Sequence, residues 1–165
     1  MLKYLQVNRI TGTGTAIDLR YDGTSVGSIV VTASATAYNT SSDYRLKENV
    51  VSMDNASDRV LALNPVRFNF IADPDKTVDG FLAHEAQEIV PEAVTGSKDA
   101  MRTEEYEVSP AVLDEDGNVV TEAVMGTREV PDYQGIDQSK LVPLLTKALQ
   151  EALERIAVLE SKVGA

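Results

Sequence analysis

The sequence predicts an α+β chain built from two unlike materials. Residues 1–41 read as the end of a β-rich shaft; residues 42–165 read as a small mixed domain with a hairpin arm and a long C-terminal helix. Three observations carry this reading. The chain before Ser42 is rich in Gly, Ser, Thr and Ala with short alternating apolar bursts. Beyond it the composition becomes that of an ordinary globular domain. The last stretch repeats apolar residues at spacings of three and four.

From Met1 to Ser41 the bursts are typified by Ile29-Val30-Val31-Thr32-Ala33, and Asp22-Gly23 and Gly12-Thr13-Gly14 mark turns, so short strands joined by turns are expected. With few large side chains the segment cannot build a core alone and should be stabilised by neighbouring copies. Asn55 to Leu63 predicts a short helix that Pro65 stops. Val66-Arg67-Phe68-Asn69-Phe70 alternates as a strand with its aromatic face inward, followed by a loop at Asp73-Pro74-Asp75. The segment Gly80 to Val94 predicts a strand entering a short helix that ends near Pro91.

Val112-Leu113 and Val119-Val120 flank Asp114-Glu115-Asp116-Gly117-Asn118 and predict a hairpin, the candidate arm. At the C-terminal end, Val142, Leu145, Leu149, Ala152, Ile156, Leu159 and Val163 form the a/d seam of a coiled coil. Ser139 or Asp137 would cap this helix, Pro143 fits its first turn, and Glu151 lies four residues before Arg155, the spacing of a helical ion pair. Such a stripe serves either one amphipathic helix packed on its own domain or an oligomeric helix bundle.

Composition narrows the chemistry. There is no cysteine, hence no disulfide, thiol nucleophile or thiolate metal site, and one histidine limits metal binding. His84-Glu85 opens a zinc-protease-like run, but Glu88 stands where the second histidine is needed, so His84 is expected to be a hydrogen-bonding residue on a half-buried face. The acidic loop lacks the ligand pattern and closing glutamate of a calcium loop, and Gly12-Thr13-Gly14 lacks the lysine or third glycine of a phosphate loop. No metal or cofactor is expected.

A net charge of −11 argues against nucleic acid as partner, and the charge is uneven. Lys3, Arg9 and Arg20 stand against Asp18 and Asp22 before Ser42, leaving twelve of the 15 basic and twenty-four of the 26 acidic residues beyond it. No apolar run approaches the roughly 20 residues that span a bilayer, and the amino end lacks the apolar core of a signal peptide. A soluble product made in a cytosol, with no membrane partner, is expected.

The chemistry-bearing run is Ser42-Asp43-Tyr44-Arg45-Leu46-Lys47, at the compositional break. A lysine amine serves as general base for a serine hydroxyl only when desolvation or a nearby cation pulls its pKa down, and Arg45 could supply part of that field. The same Ser-Asp pair is also a common turn or helix start.

Four segments in order then resemble a known family. They are Ser42-Asp43-Tyr44-Arg45-Leu46-Lys47-Glu48-Asn49-Val50; Leu61-Ala62-Leu63-Asn64-Pro65-Val66-Arg67-Phe68; Gly80-Phe81-Leu82-Ala83-His84-Glu85 through Val90-Pro91-Glu92-Ala93-Val94; and Gly135-Ile136-Asp137-Gln138-Ser139-Lys140-Leu141-Val142-Pro143-Leu144-Leu145. Together they resemble the C-terminal intramolecular chaperone of phage tail spikes and tail fibres, typified by endosialidases and classed as a self-cleaving serine peptidase. His84 departs from the family pattern, where glutamine is more usual.

The resemblance implies a homotrimer with a helical bundle, whose seam would be Leu145, Leu149, Ala152, Ile156 and Leu159. The trimer would register three copies of the preceding fibre shaft and then be released by autoproteolysis. Ser42 would be the nucleophile and Lys47 the general base, with Asp43 and Arg45 in supporting roles and the cut at Ser41-Ser42, favoured over Ser42-Asp43. It further implies assembly in a host cytoplasm, with the shaft retained in the virion tail for host attachment and the chaperone released. The alternatives are a fibre-tip adhesion domain that trimerises and stays attached, and a free-standing hydrolase.

Overall fold

A computed structural model describes residues 5–164, and the chain divides between Val51 and Ser52 into two units. The first holds an antiparallel sheet of β1 (Gly14–Tyr21), β2 (Thr24–Val31) and β3 (Thr36–Thr40) in that spatial order. Asp22 and Gly23 make the predicted turn, both with positive φ, the backbone a tight hairpin with right-handed twist requires. Gly27 faces Thr40, and a Cβ there would lie 2.9 Å from the Asn39 carbonyl oxygen, so only glycine lets β2 and β3 approach so closely. Among the described residues of this unit none is buried.

The second unit opens with α1 (Ala56–Ala62), which ends before Pro65 as expected. Next come β4 (Val66–Phe70) and β5 (Asp73–Gly80), paired antiparallel. Two expectations are corrected here. The turn lies at Ile71-Ala72, and Asp73-Pro74-Asp75 belongs to β5: Phe70 pairs with Asp73, and Asn69 donates its side-chain amide to the Pro74 carbonyl. Proline is tolerated because the ribbon has only two strands, both edges. Nor do the aromatics point into a core. Phe70 is 61% exposed and meets Phe68 edge to face at 5.2 Å between ring centres.

Gly80 closes β5 rather than opening a strand, and α2 (Ala83–Ile89) follows directly. Pro91 then starts a short 3₁₀ turn, Pro91–Ala93, leading into β6 (Val94–Thr95). A long arm rises from β7 (Met101–Ser109), β8 (Val112–Leu113), β9 (Val119–Thr121) and β10 (Val124–Pro131): β7 pairs with β10, β8 with β9. The predicted hairpin is its tip, and β7 and β10 are the part the sequence reading did not assign. β11 (Gly135–Ile136) returns to pair with β6.

Asp137, rather than Ser139, makes a capping bond, but it caps a 3₁₀ turn ahead of the long helix, whose own start has no side-chain cap. The Asp137 carboxylate accepts from the Ser139 N–H and hydroxyl at the 3₁₀ turn Gln138–Lys140, which runs into α3 (Leu141–Val163) with Pro143 in the first turn. The core gathers where α1, α2, β6 and the start of α3 meet. It consists of Ala56, Ala86, Val90, Ala93, Val94, Leu141 and Leu144, with half-buried side chains such as Val60 and Ala148 around it. Small residues dominate, which lets the short elements approach closely.

Candidate active site

Strand β3 delivers the chain to the site. Just past its end, Ser41 continues the ladder: its N–H donates to the Val26 carbonyl at 3.1 Å and its hydroxyl to the Ser25 carbonyl at 2.9 Å. Asp43 then turns the chain. Its carboxylate accepts from the Arg45 N–H at 2.8 Å and caps the 3₁₀ turn Tyr44–Leu46, and the Lys47 N–H closes that turn on the Tyr44 carbonyl. Extended backbone at Asp43 and again at Lys47, with one tight turn between, brings residues 42 and 47 face to face. Lys47 Nζ donates to Ser42 Oγ at 2.8 Å.

That separation is within the reach a general base needs. With the amine neutral, the same heavy-atom geometry lets the serine hydroxyl donate instead, the direction proton transfer requires. Both residues are exposed in this chain. Arg45 turns to Asp43 rather than to the lysine: its Nε and Nη2 donate to the two carboxylate oxygens at 2.9 and 2.8 Å. The Arg45 side chain, then its N–H, and more weakly the charge of Lys47 hold the Asp43 carboxyl below the usual carboxylate range, while Asp43 raises Arg45 above the usual guanidinium range. Arg45's positive field at Lys47 is therefore largely offset by its partner, and the pair acts first as a clasp on the turn.

The predicted seam is on the surface. Leu144 is 2% exposed, whereas its neighbour Leu145 is 48% exposed, and Leu149, Ile156 and Leu159 are 61%, 49% and 60% exposed, with Ala152 exposed too. The stripe of α3 that packs on its own domain is a different one, Leu141, Leu144 and Ala148, about 100° of helix per residue away.

Glu151, on the packed side, makes no ion pair with Arg155. Its carboxylate accepts from the Ala56 and Ser57 N–H groups, at 3.3 and 2.8 Å, and from the Ser57 hydroxyl at 2.5 Å. It supplies the cap that Asn55, in the left-handed region with no capping bond of its own, does not. The Ser57 hydroxyl first, then the Ser57 N–H, lower the Glu151 pKa. This bond spans more than ninety residues of sequence, and nothing in local spacing announces it. Leu153, 55% exposed beside the seam, is a second residue the heptad reading passed over.

His84 is half-buried, but its side chain makes no hydrogen bond among the described residues; it lines a cleft of about 630 Å³ with Lys98, Asp99 and Tyr133. In the acidic loop, Asp114 accepts from the N–H groups of Asp116 and Asn118 and from the Asn118 amide, an arrangement that forms the tip turn. Among the described residues no three metal-binding side chains converge, and no helix is long and apolar enough to cross a membrane.

No curated protein matches the chain. Among solved structures it is similar to one described as "Crystal structure of a novel intramolecular chaperon", with 18% identity, 69% of this chain and 99% of that chain covered, and a TM-score of 0.42. A peptidase family described as "Chaperone of endosialidase" matches residues 42–95, starting at the serine of the hydrogen-bonded pair. The family read from the sequence is thus the one whose model matches this chain, over residues 42–95.

Proposed function

We propose that the segment from Ser42 is an intramolecular chaperone that joins three chains through α3, registers the β-rich segment before it, and is released by a single self-cleavage beside Ser42. The observation that carries this reading is the 2.8 Å contact between Lys47 Nζ and Ser42 Oγ at the first residue of the family match. In the proposed step Ser42 Oγ attacks the carbonyl carbon of Ser41 while its proton passes to the Lys47 amine. The C–N bond breaks, the Ser42 nitrogen leaves as an amine carrying that proton, and an ester joins the Ser41 acyl group to Ser42 Oγ. Water then hydrolyses the ester, leaving a Ser41 carboxylate and a chaperone that begins with Ser42.

Exposure of the pair in the single chain gives the step its timing. A base lysine needs shelter from water, and burial on assembly would supply it. The β1–β3 sheet, with no buried residue, gains from the same event: tethering three copies raises their mutual effective concentration and sets the strand register. Release after registration leaves the product kinetically trapped.

A second reading, a fibre-tip domain that trimerises and stays attached, draws on the Asp43 cap, which makes 42–47 an ordinary strand-to-turn junction. Intact mass of wild-type protein beside Ser42→Ala separates them. Fragments meeting at Ser42 in the wild type alone are expected; an uncut wild-type trimer would favour permanent attachment.

A further inference from the structure

We infer that the α3 helices of neighbouring copies, parallel in a symmetric trimer as proposed above, are held in one register by an ion pair between Arg155 of one copy and Glu160 of the next. The inference rests on the assembly reading above and adds register to it. With Leu145 and Leu159 at d and Leu149 and Ile156 at a, heptad geometry places Ala148, Arg155 and Lys162 at g and Thr146, Leu153 and Glu160 at e.

The charges segregate by edge: the g edge is basic, and the e edge carries one charge, acidic. Parallel helices bring g of one chain to e of the next five residues on, so Arg155 meets Glu160, and Leu153 covers Ala148 where the helix surface is only half-buried. Antiparallel helices bring g to g, setting basic side chains against each other, which costs energy.

Within the chain neither residue is paired. Arg155 and Glu160 form no ion pair with any described residue, because the residue four before Arg155 is the Glu151 already bound to α1, and Ile156 and Gly164 flank Glu160 at the same spacing. Arg155 also lies on an open cleft of about 670 Å³, bordered by Ser57, Asp58, Glu151, Glu154, Val158 and Leu159. Of its three carboxylates, Glu151 is held by α1, and Asp58 and Glu154 form no ion pair with Arg155. The cleft leaves room beside Arg155 for a neighbour's carboxylate.

The test is a charge exchange read by native mass and sedimentation across a dilution series. Both residues are exposed in the single chain, so the variants should fold, and circular dichroism checks that they do. Arg155→Glu and Glu160→Arg should each raise the concentration at which the assembly falls apart by roughly tenfold, since every copy loses an attraction and gains a repulsion. The double exchange should return to within about threefold of wild type, because the pair is restored with its partners swapped. Single reversals that assemble like wild type, or a double variant weaker than either single, would overturn the inference while leaving the assembly reading intact. A wild type that is monomeric throughout would remove both.

Orientation has its own readout. The chain has no cysteine, so Val163→Cys, at an a position near the helix end, places one thiol per copy. Oxidation should cross-link parallel helices at this position; assembled protein that stays un-cross-linked would contradict the parallel arrangement.

Discussion

The two units of this chain handle their apolar residues in opposite ways. In the second, α1, α2, β6 and the start of α3 close over Val90, Leu141 and Leu144, so one copy has a core. In the first, three paired strands leave every described residue at least partly exposed, with Leu19, Tyr21 and Tyr38 among the most accessible. Hydrogen-bonded strands without a covered face are marginal in water. The difference teaches where a single copy keeps its apolar side chains from water: among the described residues, only the second unit does so.

The largest effect should come from separating these two stabilities. Leu149→Asp with Ile156→Asp puts charges on the exposed seam without touching the core, and should give a folded monomer. In hydrogen exchange, the amides of β1–β3 in that monomer should exchange near the unprotected rate, while those of α1 and the first turns of α3 stay protected. Wild-type assembly should slow β1–β3 exchange by orders of magnitude. Equal protection of the sheet in monomer and assembly would break the comparison.

A sharper contrast uses two adjacent leucines. Leu144→Ala removes the largest fully buried side chain and should cost about 2–5 kcal/mol in denaturant unfolding of the monomer. Leu145→Ala, one residue on, should cost less than about 1 kcal/mol there but weaken assembly. Equal losses from the two would mean that the faces of α3 are not divided as described.

A smaller effect should follow pH. The Glu151 pKa is lowered in the folded chain from 4.5, so its contribution is present above that value and lost as pH falls through the depressed folded pKa. Glu151→Gln should flatten this acid limb of the unfolding midpoint against pH, and an unchanged limb would assign the sensitivity elsewhere. The most local change expected is Gly23→Ala, which forces a side chain onto φ +76° and should cost about 1 kcal/mol in the β1–β2 hairpin. Its effect on the second unit's melting should be nil.

What the sequence made legible was local. Asp22-Gly23, Pro65, the hairpin around Gly117 and the helical period of α3 each rest on a few neighbouring residues whose chemistry permits little else. The five-residue separation of Ser42 and Lys47 belongs here too, since one turn capped by Asp43 brings them together. Features set by distant partners were not legible. Asp73-Pro74-Asp75 looks like a loop until β4 pairs with it. Glu151 looks like Arg155's helical partner until α1 offers two N–H groups and a hydroxyl. Phe70 resembles a core residue by alternation alone, yet the β4–β5 ribbon leaves it 61% exposed.

Self-cleavage by Ser42 and Lys47 is the step on which the proposed release depends. Intact-mass spectrometry of the wild type beside Ser42→Ala and Lys47→Ala, with native mass to count subunits, tests it most directly. Two fragments that meet at Ser42 are expected in the wild type, and single full-length trimers in both variants. An uncut wild type, or a Ser42→Ala chain cleaved like wild type, would contradict it.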